Sequence, residues 1–297
     1  MANSLNVTNP FDLSIIGSIK LCDWAEVDNY LDESKKLILK RENWLPSFKR
    51  IEILKNVCNL MSANFDYLAF LIANEGGKPL VDAKVEVLRA IDGVKLCISE
   101  LINLSGNEIP MGLTPASNGK LAFTTKEPIG VVVAVSAFNH PLNLIVHQVA
   151  PAVAVGCPVL VKPADDTPLS CETFINYLYE AGLPKPWCRF VPCELEVAEK
   201  LVTDERISFF SFIGSAKVGW MLRSKLANGT RCALEHGGAA PVIIDENVNL
   251  EEIIPKLVKG GFYHSGQVCV SVQRVFAPHK EAQKISNLIG ETAKFLK

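Results

Sequence analysis

The sequence predicts an α/β chain built on a doubly wound parallel sheet. Three observations carry that expectation. Strand-like and helix-like segments alternate from residue 130 to residue 236; residues 128–161 contain no Asp, Glu, Lys or Arg; and the rhythm breaks at Gly237-Gly238, where a second unit opens. Short strands alternating with helices imply parallel pairing with crossover helices on both faces. The charge-free stretch of 34 residues is long enough to suggest a membrane span. However, Pro141, Pro151 and Pro158 interrupt it and β-branched residues cluster at its ends, which favours a buried strand–helix–strand unit.

The elements follow in order. Residues 26–73 read as helical, with Trp44-Leu45 and residues 51–60 supplying apolar positions at a spacing of three to four. Glu75-Gly76-Gly77-Lys78-Pro79 breaks that run. A further helix is predicted over 81–101, on an apolar stripe of Val85, Val87, Leu88, Ile91 and Val94. Residues 105–127 are polar and read as a hairpin or extended arm. Strands are then predicted at 130–135, 158–161, 189–191, 207–212 and 231–235, separated by helices at 142–155, 169–181, 196–202 and 218–226. Beyond Gly237 come a strand at 241–244, a helix at 250–263 and a final helix at 281–297. That last helix sets Ile285, Leu288, Ile289 and Phe295 or Leu296 on one side, a face that needs a cover.

Composition narrows the function classes. A net charge of −2 with 21% charged residues leaves no basic field for nucleic acid and no acidic tail. The N-terminus lacks the basic start and apolar run of a signal peptide. Nine cysteines, scattered without a C-x-x-C, argue for a reducing, cytoplasmic setting and against a disulfide framework or a zinc ribbon.

Five segments carry possible chemistry. Phe212-Ile-Gly214-Ser215-Ala-Lys-Val218-Gly219 places glycine and serine at a strand-to-helix turn. Such a turn suits a phosphate at a helix N-terminus, and equally an ordinary tight turn, since it lacks the G-x-G-x-x-G spacing. Lys162-Pro-Ala164-Asp165-Asp166 follows a strand, where ligands collect on open sheets; it suits ribose hydroxyls, or a solvated loop. Cys269 follows the polar turn Ser265-Gly-Gln, so its thiol and backbone N–H could face a cleft, although most free cysteines are buried and inert. Glu235 ends a strand just before Gly237-Gly238, and Asn139 either caps the following helix or donates its amide. A thiol, a carboxylate and an amide donor together form a set suited to carbonyl chemistry.

Read in order, the segments resemble the aldehyde dehydrogenase family. The resemblance rests on Glu75-Gly-Gly-Lys-Pro79, Glu127-Pro-Ile-Gly-Val131, Phe138-Asn139-His140-Pro141, Lys162-Pro163, Thr167-Pro168, Phe212-Ile-Gly-Ser215, Glu235-His-Gly-Gly238 and Gly266-Gln-Val-Cys269. It runs from about residue 8 to the end, and the variants at Glu75 and Phe138 resemble the branch acting on lactaldehyde or phosphonoacetaldehyde. The resemblance implies a Rossmann-like dinucleotide-binding domain (1–106 and 128–236), an oligomerisation arm (107–127) that pairs with a partner, and part of an α/β catalytic domain (237–297). It implies Cys269 as nucleophile, Glu235 as base for the hydrolytic water, and Asn139 as oxyanion donor. It places the cofactor against Ser136, Ala137, Phe138, Lys162, Ala164, Asp165, Gly214, Ser215, Val218 and Gly237.

A carboxylate at Asp165, or Asp166 in its stead, would repel a 2′-phosphate, which favours NAD over NADP as the cofactor. The implied substrate is a small polar aldehyde, with no nucleic-acid or membrane partner. Departures from the family pattern are expected to matter. Gln148 stands where many members carry lysine, and Pro192-Cys193-Glu194 lacks expected glycines. Glu172-Thr-Phe174 is not the family's later Glu-x-Phe segment. Only 28 residues follow Cys269, so the chain is expected to lack the wall of its substrate pocket. The alternative expectation is an inactive fragment that retains at most nucleotide binding.

Overall fold

The computed structural model describes residues 4–296; residues 1–3 and 297, and with them the readings made for the extreme N-terminus and the last residue of the final helix, lie outside it. The chain divides into two compact units: Met1–Ile213 with Met221–Ala233, and Gly214–Trp220 with Leu234–Lys297.

The first unit opens on an antiparallel hairpin, β1 (Ser4–Thr8) with β2 (Ile15–Lys20), which the sequence reading does not anticipate. The stretch read as one helical run is three helices: α1 (Trp24–Leu39), α2 (Ser47–Ala63) and α3 (Phe65–Gly76). Asp23 starts α1 in a capping box, accepting from the Glu26 N–H at 2.9 Å while Glu26 accepts from the Asp23 N–H. Gly77 closes α3 with φ of 61°. The next helix, α4 (Leu80–Glu100), buries Ala83, Glu86, Val87, Ala90, Ile91 and Val94. Two residues of the expected stripe, Val85 and Leu88, instead face outward. The arm is a minimal ribbon, β3 (Glu108–Ile109) against β4 (Ala122–Phe123).

The sheet strands are β5 (Val131–Val135), β6 (Val159–Lys162), β7 (Cys188–Phe190), β8 (Ile207–Gly214) and β9 (Arg231–His236). Their helices are α5 (Asn143–Val155), α6 (Leu169–Glu180), α7 (Leu195–Val202) and α8 (Ala216–Arg223). The spatial order is β7-β6-β5-β8-β9, with β5 parallel to both β6 and β8. All of β6 and all but the last residue of β5 are buried, as strands covered on both faces must be. The order reverses between β5 and β8, so the crevice beyond their carboxyl ends is the switch point of a doubly wound sheet.

The second unit holds β10 (Pro241–Ile243) parallel to β11 (Arg274–Phe276), with α9 (Leu250–Phe262) and α10 (Ala282–Ala293). Ile244, Ile254, Leu257, Val258 and Ile285 form its core. The registered pair Ile243 and Phe276 is exposed. The face of the final helix expected to lie uncovered is instead turned inward: α10 stops at Ala293, buries Ile285 and packs Ile289 against that core, and only Leu288 at its edge and Phe295 and Leu296 beyond it are exposed. Among the described residues no helix is long and apolar enough to cross a membrane, and no group of His, Cys, Asp and Glu is placed to hold a metal ion.

Candidate active site

Within the first unit, the carboxyl ends of β5 and β6 carry most of the predicted residues. Ser136 follows β5, is buried, and donates its N–H to the Lys162 carbonyl at 3.2 Å. Ala137, Phe138 and half-buried Asn139 come next, and the Phe138 carbonyl accepts from Thr167 Oγ1 at 3.2 Å. Lys162 ends β6 with its side chain almost wholly buried and its Nζ on the exposed carboxylate of Asp165, with Ala164 between them. The structure therefore brings Lys162 and Asp165 together as one polar pair. Gln148, on α5, donates through Nε2 to the carbonyls of Val135 (3.2 Å) and Ser211 (3.1 Å), tying β5 to β8 at the switch point. It does so as a neutral group.

The sequence reading treats Glu75-Gly-Gly-Lys-Pro79 as a helix breaker; the structure shows it to be a capping hub. Glu75 accepts from the Leu169 and Ser170 N–H groups, at 2.8 and 3.0 Å, and so closes the N-terminus of α6. Glu86 accepts from Leu142 and Asn143, at 3.0 and 3.1 Å, and closes α5 in the same way. Lys78 Nζ pairs with Glu86 and lies 2.7 Å from His140 Nδ1. Burial would raise the Glu86 carboxyl, but its hydrogen bonds to His140 and Lys78 outweigh this and hold it below its usual value. Glu75 has no such cation, and burial pushes it up to about 7. The signal for this hub lay in the sequence: Glu86 interrupts an otherwise apolar inner face of α4 between Ala83 and Val87.

These carboxylates decide where an anionic ligand can sit. A helix N-terminus attracts one negative group. Glu86 already occupies that of α5, and Glu75 that of α6. The turn into α8 has no acidic residue in its first turn. Gly214 is half-buried there, Ser215 and Val218 are exposed, and only Ser215 Oγ approaches the Val218 N–H, at 3.4 Å. Of these three strand-to-helix turns, this one is open to a phosphate.

In the second unit, Cys269 lies in the loop between α9 and β11. His264, Ser265 and Gly266 all have positive φ (47°, 56° and 75°), which turns the chain sharply back after α9. The loop then lies against the helix, with the Val272 N–H on the Gly260 carbonyl at 3.0 Å. A β-carbon on Gly260 would stand 2.9 Å from Val272 Cγ2, so the close approach needs glycine. The Cys269 carbonyl accepts from the Gly238 N–H at 3.2 Å. That bond sets the loop beside the segment Glu235-His236-Gly237-Gly238. Glu235 is exposed at the end of β9, and the His236 ring meets Trp220 edge-on at 5.8 Å.

Cys269 alone among the nine cysteines is exposed. Burial pushes the Cys22 and Cys97 thiols up to about 11 and Cys193 to about 12, and raises Cys58, Cys157, Cys171 and Cys188 as well. A thiolate nucleophile needs access. A groove of about 450 Å³ between β11 and α10, lined by Phe276, Ala277, Ile285 and Ile289 among others, carries no titratable side chain. It is not where this chemistry resides.

The model of the aldehyde dehydrogenase family matches residues 1–297. The lactaldehyde dehydrogenase of Methanocaldococcus jannaschii is 33% identical over 297 residues, covering 98% of this chain and 62% of that relative. Aldehyde dehydrogenase 21 from Physcomitrella patens, solved with the reaction product succinate, is similar in structure with a TM-score of 0.93 and 32% identity, covering 100% of this chain and 62% of that one. The glyceraldehyde-3-phosphate dehydrogenase GapN of Methanocaldococcus jannaschii, complexed with NADP, gives a TM-score of 0.92 at 32% identity, covering 100% and 64%. The chain spans 52–63% of the length of the relatives it matches.

Proposed function

This chain belongs to the aldehyde dehydrogenase family, and on that premise we propose that it oxidises a small polar aldehyde to its carboxylic acid with NAD(P)⁺. The observation that carries the reading is Cys269, the one exposed thiol, on a loop bonded to the segment that bears Glu235. Cys269 Sγ, as thiolate, attacks the aldehyde carbon, and the carbonyl π electrons move to oxygen. The family resemblance assigns that oxyanion to the Asn139 amide and the Cys269 backbone N–H; losing one such donor costs about 10²–10³ in rate. A bound dinucleotide would supply the hydride acceptor; as the oxyanion collapses and the carbon gives up its hydride, Cys269 would be left carrying a thioester. Glu235 takes a proton from water, which attacks the thioester, expels the thiolate and releases the acid.

The first unit is read as the dinucleotide-binding domain, the short ribbon as the oligomerisation arm, and the second unit as part of the catalytic domain. By the family resemblance, the open turn Gly214-Ser215 with Val218 would hold the pyrophosphate, Lys162 and Asp165 the ribose hydroxyls, and Ser136, Ala137, Phe138, Ala164 and Gly237 the remaining contacts. Asp165 favours NAD⁺, because a 2′-phosphate would meet its carboxylate. Lys162, with its Nζ on Asp165, leaves NADP⁺ usable, and NADP is what two of the similar solved structures hold. The lactaldehyde and 3-sulfolactaldehyde dehydrogenases among the relatives favour a short, polar, often anionic aldehyde.

The test is dinucleotide reduction followed at 340 nm (roughly the reduced-nicotinamide band) across a panel of short polar aldehydes. Cys269→Ser should abolish it. Glu235→Gln should keep a single-turnover burst and lose steady turnover, because only hydrolysis of the thioester needs that base. Turnover that survives Cys269→Ser would sink the mechanism. Dinucleotide binding without turnover in the wild-type chain would support the alternative of a nucleotide-binding protein.

A further inference from the structure

Helix α4 has two apolar faces, and only one of them is used. Its inner face packs into the first unit through Ala83, Val87, Ala90, Ile91 and Val94. Its outer face exposes Val81 (68%), Val85 (46%), Leu88 (55%) and Leu96 (64%). At about 100° per residue these four fall within about 80° of one another, a continuous stripe along the helix. Phe70 of α3, 60% exposed, stands one turn after Asp66, whose carboxylate meets Lys84 Nζ at 2.9 Å, and widens the patch. Monomeric proteins rarely leave such a surface to water without a use for it.

The charges set into the stripe identify what covers it. Lys84 lies four residues before Leu88 and Asp92 four residues after it, both exposed. If two α4 helices pair antiparallel about a two-fold axis through Leu88, Lys84 of each copy meets Asp92 of the other. Leu88 then meets its own counterpart, and Val81 runs beside Leu96. A parallel pair would set Asp92 on Asp92 and Lys84 on Lys84. The charge pattern is therefore complementary to itself in the antiparallel two-fold arrangement and not in the parallel one, and a two-fold contact of this kind closes a dimer. The pairs Lys84 makes with Asp66 and Asp92 makes with Lys95 are exposed, so exchanging them for contacts across the axis costs little.

We propose that the outer face of α4 is a two-fold self-association surface whose occupant is the same face of a second copy of this chain. It is separate from the short ribbon at Glu108–Ile109 and Ala122–Phe123, which the family resemblance assigns to oligomerisation. It also stands independently of the proposed dehydrogenase chemistry.

Sedimentation equilibrium of the whole 297-residue chain, from about 1 to about 100 µM, tests the proposal. The wild-type chain should form a dimer. Leu88→Arg, at a side chain already in water, should weaken it at least tenfold, and Lys84→Glu should weaken it by setting like charges together. The double variant Lys84→Glu/Asp92→Lys restores opposite charges across the axis and should recover wild-type association to within about threefold. Circular dichroism melting of each variant separates lost association from lost folding. A wild-type chain that stays monomeric over this range, a dimer indifferent to Leu88→Arg, or a double variant no better than Lys84→Glu would each overturn the proposal. The second of these outcomes would assign the contact to the ribbon or to the exposed pair Ile243 and Phe276 of β10 and β11. Recruitment of the monomer to neutral lipid vesicles through the same stripe would overturn it in favour of a lipid surface.

Discussion

Two glutamates eleven positions apart do the same structural work with their carboxyls shifted in opposite directions. Glu86 caps α5 beside the Lys78 ammonium and stays ionised. Glu75 caps α6 on the Leu169 and Ser170 N–H groups, and burial outweighs these hydrogen bonds and lifts it from 4.5 to about 7. An acid that is harder to ionise when folded binds more protons in the native state between those two values. The unfolded chain binds fewer there, so stability falls as pH rises from about 4.5 to about 7. A change of that size corresponds to about 3 kcal/mol when Glu75 is fully ionised. Glu75→Gln fixes the neutral form. In urea unfolding the variant should therefore gain about 2–3 kcal/mol on the wild type between about pH 5 and about pH 8. An equal difference at both pH values would show that Glu75 ionises normally in the fold.

At the scale of elements, the turn from α3 into α4 depends on Gly77. Its φ is 61°, and an added β-carbon would stand 2.7 Å from Pro10 Cγ. Gly77→Ala should cost about 1–2 kcal/mol for the left-handed backbone and more for the contact with the proline ring. Gly229 has φ of 88° with nothing within 4 Å of its β-carbon position, so Gly229→Ala should carry the backbone cost alone. Calorimetric melting should give Gly77→Ala the larger loss, by about 2–4 °C for each extra kcal/mol. Equal losses would remove the role assigned to Pro10. Most elements of the sheet are legible in the sequence because strand and helix periods are local signals, from Val131–Val135 to Arg231–His236. β11 (Arg274–Phe276) is not, since three residues take their identity from a partner strand more than thirty positions away. The β1–β2 hairpin is missed although Leu5 and Val7 alternate before the Asn9-Pro10 turn, a short signal beside polar neighbours. Cys269, Glu235 and Asn139 are named from the sequence because the chemistry demands those residue types. Glu75, Glu86 and Lys78 are passed over as site-building residues because charged side chains are ordinarily assigned to the surface.

At the scale of the whole molecule, the two units are unequally provided with core. The first carries a continuous apolar cluster running from α2 through α4, α5 and α6 to β7. The second has a core of Ile244, Ile254, Leu257, Val258 and Ile285, beside a parallel pair of strands that leaves Ile243 and Phe276 in water. Small units bury a smaller share of their surface, and parallel strands are normally covered on both sides. Local opening free energies should differ accordingly, since protection follows buried apolar contact. Hydrogen exchange followed by mass spectrometry should show the amides of α9 and β11 exchanging at least about tenfold faster than those of α4, β5 and β6. The loop bearing Cys269 is held to its own unit by the Gly238–Cys269 and Val272–Gly260 backbone bonds, so it should open with that unit. The amide of Val272, bonded to the Gly260 carbonyl, should then exchange faster at urea concentrations that leave α4 fully protected. Equal protection of α9 and β5 would show that the small core is supported as firmly as the large one, and the Cys269 loop with it.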